Sequence, residues 1–303
     1  MKKFITITIM ISIIPFLFVK TFTKKDNIKF KYITNNIIRV LDEKTGQITE
    51  IPFEDYIKGV VASEMPTTFE LEALKAQAVA SRSYATYQMN GNKTKEYDVT
   101  NTTTNQVYKT ESQLKQIWKD EYHEKINKIK KAVTETENQI LTYNNQVVNA
   151  MFFSTSTGVT ENSEEIFSSK VPYLRSVASK WDEESPSYQD TYKLTLNDFY
   201  NKLSLPYNQT LTITNIEKTT TGRTKKLNIN GQTINGRQLA QKLSLRSNYF
   251  DITQNENDIT ITTKGFGHGV GMSQYGANGM AKEGYKYDQI LKYYYQNTEI
   301  KKT

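Results

Sequence analysis

The fold class that the sequence predicts is α+β: helices and antiparallel strands around a substrate cleft. Apolar residues at helical spacing mark segments 54–65, 67–84 and 111–133, while Thr-rich β-branched runs gather between positions 185 and 262. No repeat of solenoid period is present. A chain of 303 residues has room for one domain or two small ones. Its 20 Tyr and 13 Phe, with ample Ile, Leu and Val, can fill a core, which excludes disorder as the general state.

Composition narrows the chemistry before any motif is read. With zero cysteine there is no disulfide, thiolate nucleophile or Cys-ligated metal site. Two histidines, His123 and His268, cannot build a multi-imidazole centre. The formal charge of +7 suits an anionic setting such as a wall polymer or lipid surface and names no partner.

The elements follow in chain order. Met1-Lys2-Lys3 precedes an apolar run, 4–19, interrupted only by Thr, Ser and Pro15. That is a basic flank followed by a hydrophobic segment at the short edge for spanning a bilayer. No small-residue cleavage signal follows, so residues 1–24 are expected to stay attached as a single-pass membrane anchor, with 25–303 as the exported part. A hairpin is expected around Asp42–Gly46. A helix from Glu54, with Tyr56, Ile57, Val60 and Val61 on its apolar side, must stop at Met65-Pro66. Thr67 or Thr68 is the expected cap of the next helix. The region 111–133 is dense in charge and reads as a solvent-exposed helix containing His123 as a surface residue. Asn144-Asn145 separates two apolar runs as a hairpin turn. The section at about 185–262, with strands at 211–216, 227–229 and 259–262 and a helix near 237–243, reads as a small subdomain. A glycine-rich turn, 265–279, precedes a last helix ending in Tyr293-Tyr294-Tyr295.

Four stretches carry candidate chemistry. In Val60-Val61-Ala62-Ser63-Glu64-Met65-Pro66, a carboxylate sits at a helix end among apolar residues; such flanks would raise its pKa toward that of a general acid, while an ordinary exposed glutamate near a helix end is the plainer reading of these residues alone. The following helix offers donors in Lys75, Gln77, Arg82 and Tyr84; a polar edge of a well-packed helix accounts for them equally. Ser154 through Ser163, including Thr160 and Glu161, form a hydroxyl-rich turn suited to sugars or to an ordinary loop. It lacks the Gly-x-Ser-x-Gly elbow of serine hydrolases. In Gly265-Phe266-Gly267-His268-Gly269-Val270-Gly271-Met272-Ser273-Gln274, the glycines fit neither the dinucleotide nor the P-loop pattern. What remains is a tight backbone presenting His268, Ser273 and Gln274, expected to reach the cleft that holds Glu64.

Jointly and in this order, Ala-Ser-Glu-Met-Pro, Lys-Ala-Gln-Ala-Val-Ala, Thr-Glu-Asn-Ser-Glu and Gly-His-Gly-Val-Gly-Met-Ser-Gln resemble the stage II sporulation protein D family over about 52–295. The resemblance implies a lytic transglycosylase that cuts peptidoglycan glycan strands during forespore engulfment. Its catalytic glutamate would fall on Glu64, with no cofactor. The implied substrate is glycan stripped of stem peptides by an amidase, the stage II sporulation protein P. A membrane protein, the stage II sporulation protein M, would complete the assembly at the mother-cell membrane facing the septal wall. No nucleic acid is implied. Some relatives hold zinc with Cys and His near the hydroxyl-rich turn; here Phe152 and Phe153 stand there, so no metal is expected. The alternative is a non-catalytic glycan-binding scaffold or amidase enhancer. A hydrolase would need a second carboxylate, such as Glu161, Glu164 or Glu165.

Overall fold

The computed structural model of the protein describes residues 37–303, and the anchor expected at 1–24 lies outside them. Among the described residues no helix is long and apolar enough to cross a membrane.

Strands β1 (Ile37–Leu41) and β2 (Ile48–Pro52) form the expected antiparallel hairpin. Its turn closes because the Asp42 carboxylate accepts the amide N–H groups of Lys44 and Thr45 at 2.9 and 2.8 Å. A short β3 (Val99–Thr100) runs parallel to β1. Helix α1 (Phe53–Glu64) buries Tyr56, Ile57, Val60 and Val61, and the chain turns extended at Met65, as the following proline requires.

Helix α2 (Leu71–Gly91) starts later and runs further than the sequence suggested. Thr67 and Thr68 do not cap it. They lie in a turn closed by Phe69 N–H to the Pro66 carbonyl at 3.0 Å, and Phe69 packs edge-on against Tyr275 with ring centroids 4.9 Å apart. Burial of Phe69 therefore sets the start of the helix, and Glu70 occupies the cap position with no side-chain bond. The Ala-rich half of α2, from Ala73 to Ala85, is buried on nearly every side, as expected of a helix at the centre of a core.

The charged region is two helices. α3 (Glu111–Trp118) is capped by Thr110 in a reciprocal box with Gln113, and α4 (Tyr122–Glu135) follows a single 3₁₀ turn. The break lets α4 bury Tyr122, Ile126, Ile129, Ala132 and Val133 against α1 and α2, so this region is half core rather than solvent-facing. Strands β4 (Gln139–Tyr143) and β5 (Gln146–Val147) form the hairpin read at Asn144-Asn145, whose φ angles of +49° and +62° fit a two-residue turn with left-handed central residues.

After β6 (Phe152–Phe153) come α5 (Ser163–Phe167) and a 3₁₀ turn at Lys180–Glu184. Strand β7 (Gln189–Thr195), α6 (Leu196–Leu203), the meander β8 (Ile213–Lys218), β9 (Thr224–Ile229) and β10 (Gln232–Asn235), and α7 (Gly236–Lys242) follow. Strands β11 (Phe250–Asn255) and β12 (Asp258–Lys264) complete a second antiparallel sheet, β11-β12-β7. These elements share a core in which Leu196, Phe199, Leu227, Ile229, Leu239, Ile259 and Ile261 are buried. The chain then returns: β13 (Met272–Ser273) pairs with β6, α8 (Gln274–Lys282) and α9 (Tyr287–Tyr294) pack on α2, and β14 (Glu299–Lys302) pairs with β4. The result is α+β, with several small sheets set among helices.

Candidate active site

Glu64 is the last residue of α1, half-buried beneath the chain that follows β3. The Val107 amide donates to its Oε1 at 2.6 Å, and the Gln274 side chain hydrogen-bonds the same carboxylate. Burial pushes the Glu64 pKa above the usual carboxyl value; the Val107 amide, the Gln274 amide and the nearby Lys109 ammonium pull against that and do not cancel it. The negative end of the α1 dipole acts in the same direction as burial. An open groove of about 470 Å³ lies beside it, walled by Met65, Pro66, Leu114, Ile117, Trp118 and Lys109. Among the described residues lining this groove, Glu64 is the one carboxylate.

Gln274 connects Glu64 to the core of α2. Its amide lies 3.5 Å from Gln77 Oε1, and Gln77 donates to Ser81 Oγ at 2.9 Å. Gln77 is therefore a buried link behind Gln274, not a substrate contact. Arg82 is 1% exposed and makes a two-pronged pair with Glu54, at 2.7 and 2.8 Å, while also donating to the Gln139 carbonyl. Lys75 turns to Glu72 and Glu135, at 2.8 and 2.5 Å. Both cations are spent on holding helices together, so neither is available to a ligand. Tyr84 alone of that set opens onto a cavity, its hydroxyl accepting from Asn105 Nδ2 at 3.0 Å.

The hydroxyl-rich turn is also a structural device. Asp182 is buried and collects the Ser156 amide and hydroxyl, the Ser179 hydroxyl and the Ser273 hydroxyl. Ser273 thus faces inward and does not reach the cleft. Thr160 is buried, with its hydroxyl accepting the Val177 amide at 2.9 Å, and Ser154 is half-buried with its hydroxyl 3.3 Å from that of Thr155. Glu161 is fully buried, accepts the hydroxyls of Thr219 and Thr221, and faces the Arg223 guanidinium at 4.0 Å.

The glycine turn explains itself by packing. Gly265, Gly267, Gly269 and Gly271 all have φ between +75° and +101°, the left-handed region that glycine enters freely. A Cβ on Gly269 would come within 2.7 Å of the Arg223 guanidinium, and one on Gly271 within 2.0 Å of the Met151 carbonyl. The close approach is to the protein's own backbone and Arg223. His268 does not share the Glu64 groove. Its Nδ1 accepts the Val270 amide at 3.0 Å, and it faces a separate cavity of about 240 Å³ with Tyr84 and Phe167. Burial, with the Arg223 and Arg237 charges, drives its pKa down to about 4, against a weaker opposing bond to the Phe152 backbone. Of the three residues expected from this turn, Gln274 alone contacts Glu64.

Residues 41–143 match the family profile described as "SpoIID: Stage II sporulation protein". The chain is 48% identical over 258 residues to stage II sporulation protein D of Bacillus subtilis, an alignment covering 84% of this chain and 75% of that protein. The chain belongs to the stage II sporulation protein D family. The Bacillus amyloliquefaciens member is 46% identical over the same length and the same shares. An amidase enhancer of Bacillus subtilis is more distant, 28% identical over 80% of this chain and 40% of its own length. The profile of the stage II sporulation protein D family ends before β6, so it contains Glu64 and Val107 but not Gln274.

Sequence reasoning passed over Val107, Lys109, Asp182 and Arg223. An amide donor leaves no signature in side-chain identity, and Asp182 and Arg223 carry no motif. Trp118 had a signal: it is one of two tryptophans in the chain and stands in an otherwise charged segment.

Proposed function

We propose that the protein is a peptidoglycan lytic transglycosylase whose single acid–base is Glu64. One observation carries this reading: a half-buried carboxyl with a raised pKa is the one acidic side chain lining an open groove. Water-using glycosidases generally need two carboxylates. Glu161 is sealed beside Arg223, Glu164 is paired with Arg175, and Glu165 with Lys225. None of them lines the groove.

One carboxyl suffices when the nucleophile belongs to the substrate. Protonated Glu64 gives its proton to the glycosidic oxygen as the C1–O bond breaks. The C6 hydroxyl of the same muramic residue attacks C1, and the Glu64 carboxylate takes the released proton, leaving a 1,6-anhydro end and a restored acid. Intramolecular attack spares the entropy of recruiting water. Pulling by Val107 and Gln274 steadies the carboxylate half of the cycle, while burial favours the acid half.

On this reading the substrate is glycan freed of stem peptides by the amidase stage II sporulation protein P. The stage II sporulation protein M is a further partner, and residues 1–24 tether the protein to the mother-cell membrane facing the septal wall. Mass spectrometry of amidase-treated peptidoglycan after incubation with the protein tests it. Anhydro ends that vanish in Glu64→Gln support the mechanism; anhydro ends formed at near wild-type rate by that variant sink it. A second reading, a non-catalytic scaffold, draws on the similarity to the amidase enhancer and expects glycan binding without new ends of either kind.

A further inference from the structure

The cavity that holds His268 has no part in the chemistry at Glu64, yet the two are joined by one stretch of chain. Thr103, Thr104 and Asn105 line this cavity, Val107 donates to Glu64, and Lys109 lines the catalytic groove. A fully extended chain covers at most about 3.6 Å per residue, so the two pockets lie within roughly 20 Å along this edge. A polymer bound across Glu64 and following residues 103–109 would reach the second cavity.

Its walls combine rings with polar groups. Tyr84, Phe152 and Phe167 supply ring surface and Asn105 supplies an amide. The Arg237 guanidinium lies over the Phe167 ring, 5.9 Å from its centroid, and its Nη1 donates to the Ile166 carbonyl at 2.9 Å. Arg237 is exposed, and those two contacts orient its guanidinium toward the cavity rim while leaving other N–H groups unengaged. Arg237 is ion-paired with no carboxylate among the described residues. His268 is uncharged at neutral pH, so Arg237 is the one charged group lining the cavity among the described residues. The volume of about 240 Å³ falls below the range usual for drug-sized ligands, which suits a single ring.

We propose that this cavity is a carbohydrate subsite for an acidic amino sugar, with Arg237 receiving the sugar's carboxylate. The proposal rests on the reading of the Glu64 groove as a glycan site and adds a second contact point to it. A planar guanidinium with free N–H groups favours a carboxylate over a neutral hydroxyl or amide.

The test is titration calorimetry on the intact chain with two probes, N-acetylmuramic acid and N-acetylglucosamine, which share the ring and differ in the lactyl carboxylate. The first should bind at least about tenfold more tightly, as expected for a hydrogen bond to a charged group. Arg237→Gln should abolish the difference and Arg237→Lys should keep part of it; a thermal melt checks that both variants fold. Equal binding of the two sugars by the unaltered protein would overturn the proposal, as would a preference that survives Arg237→Gln. A preference lost in Arg237→Gln, in a protein that forms no anhydro ends, would uphold the subsite and defeat the transglycosylase reading. Anhydro ends without any preference would do the reverse.

Discussion

Glu64 is held in a place that a carboxylate finds costly, and the cost has a sign. Its folded pKa is raised, so the unfolded chain releases this proton more readily and folding is penalised above the usual carboxyl pKa of about 4.5. Glu64→Gln should therefore raise the melting temperature at pH 7, with the gain shrinking as pH falls toward about 4.5 and absent below it, while the proposed cleavage is lost. Differential melts across pH 3–8 check both limbs. His268 runs the other way. With a folded pKa near 4 and an unfolded value near 6.5, it contributes stability that is present above pH 6.5 and lost as pH falls toward 4. His268→Gln should flatten that loss in acid melts. It should leave the pH profile of cleavage between pH 5 and 8 unshifted, because the imidazole neither titrates there nor contacts Glu64. Glu64 was legible because its neighbours are: apolar flanks and a Met-Pro stop fix a helix end from residue types alone. The roles of His268 and Ser273 were not, since burial and backbone partners decide them.

At the scale of elements, two devices bear the load that the sequence assigned to ligand binding. The Arg82–Glu54 pair ties α2 to α1 with both partners buried. Removing one side leaves an uncompensated charge, so Arg82→Ala should cost about 3–5 kcal/mol in urea unfolding, against about 0–1 kcal/mol for Lys115→Ala in its exposed pair with Glu111. The glycine turn gives a sharper comparison. Gly271 and Gly284 have φ of +83° and +93°, but a Cβ on Gly284 meets nothing within 4 Å whereas one on Gly271 strikes the Met151 carbonyl. Gly284→Ala should cost about 1–3 kcal/mol of backbone strain, and Gly271→Ala should exceed it clearly or prevent folding. Alternating glycines were easy to see in the sequence, but their reason sits on residues 151–157 and 223, far away in the chain. The Asn144-Asn145 hairpin and the end of α1 were readable because their causes are local. The split between α3 and α4 was not, because the gain comes from packing Ile126 and Ile129 on other helices.

For the whole molecule, charge is the property that sequence and structure share most directly. A net +7 predicts that binding to anionic wall sacculi weakens with salt, and sedimentation in about 50 and 500 mM NaCl should reveal the drop. Binding that ignores salt would assign the affinity to groove contacts alone. The α+β class followed from the placing of helical and β-branched segments; the order of strands did not, because β6–β13 and β4–β14 join residues more than a hundred positions apart. That long reach has a consequence in time. Glu64 is made early in synthesis and its partner Gln274 comes 210 residues later, just after the strand that seats α8 against α2. A chain still being made holds the acid and its Val107 donor but not the amide that steadies the carboxylate. Contacts of such sequence separation form slowly, since loop closure precedes their reward. The candidate site is therefore complete only when almost the entire polypeptide has been made, so partial products and C-terminal truncations carry a buried acid with no finished site around it.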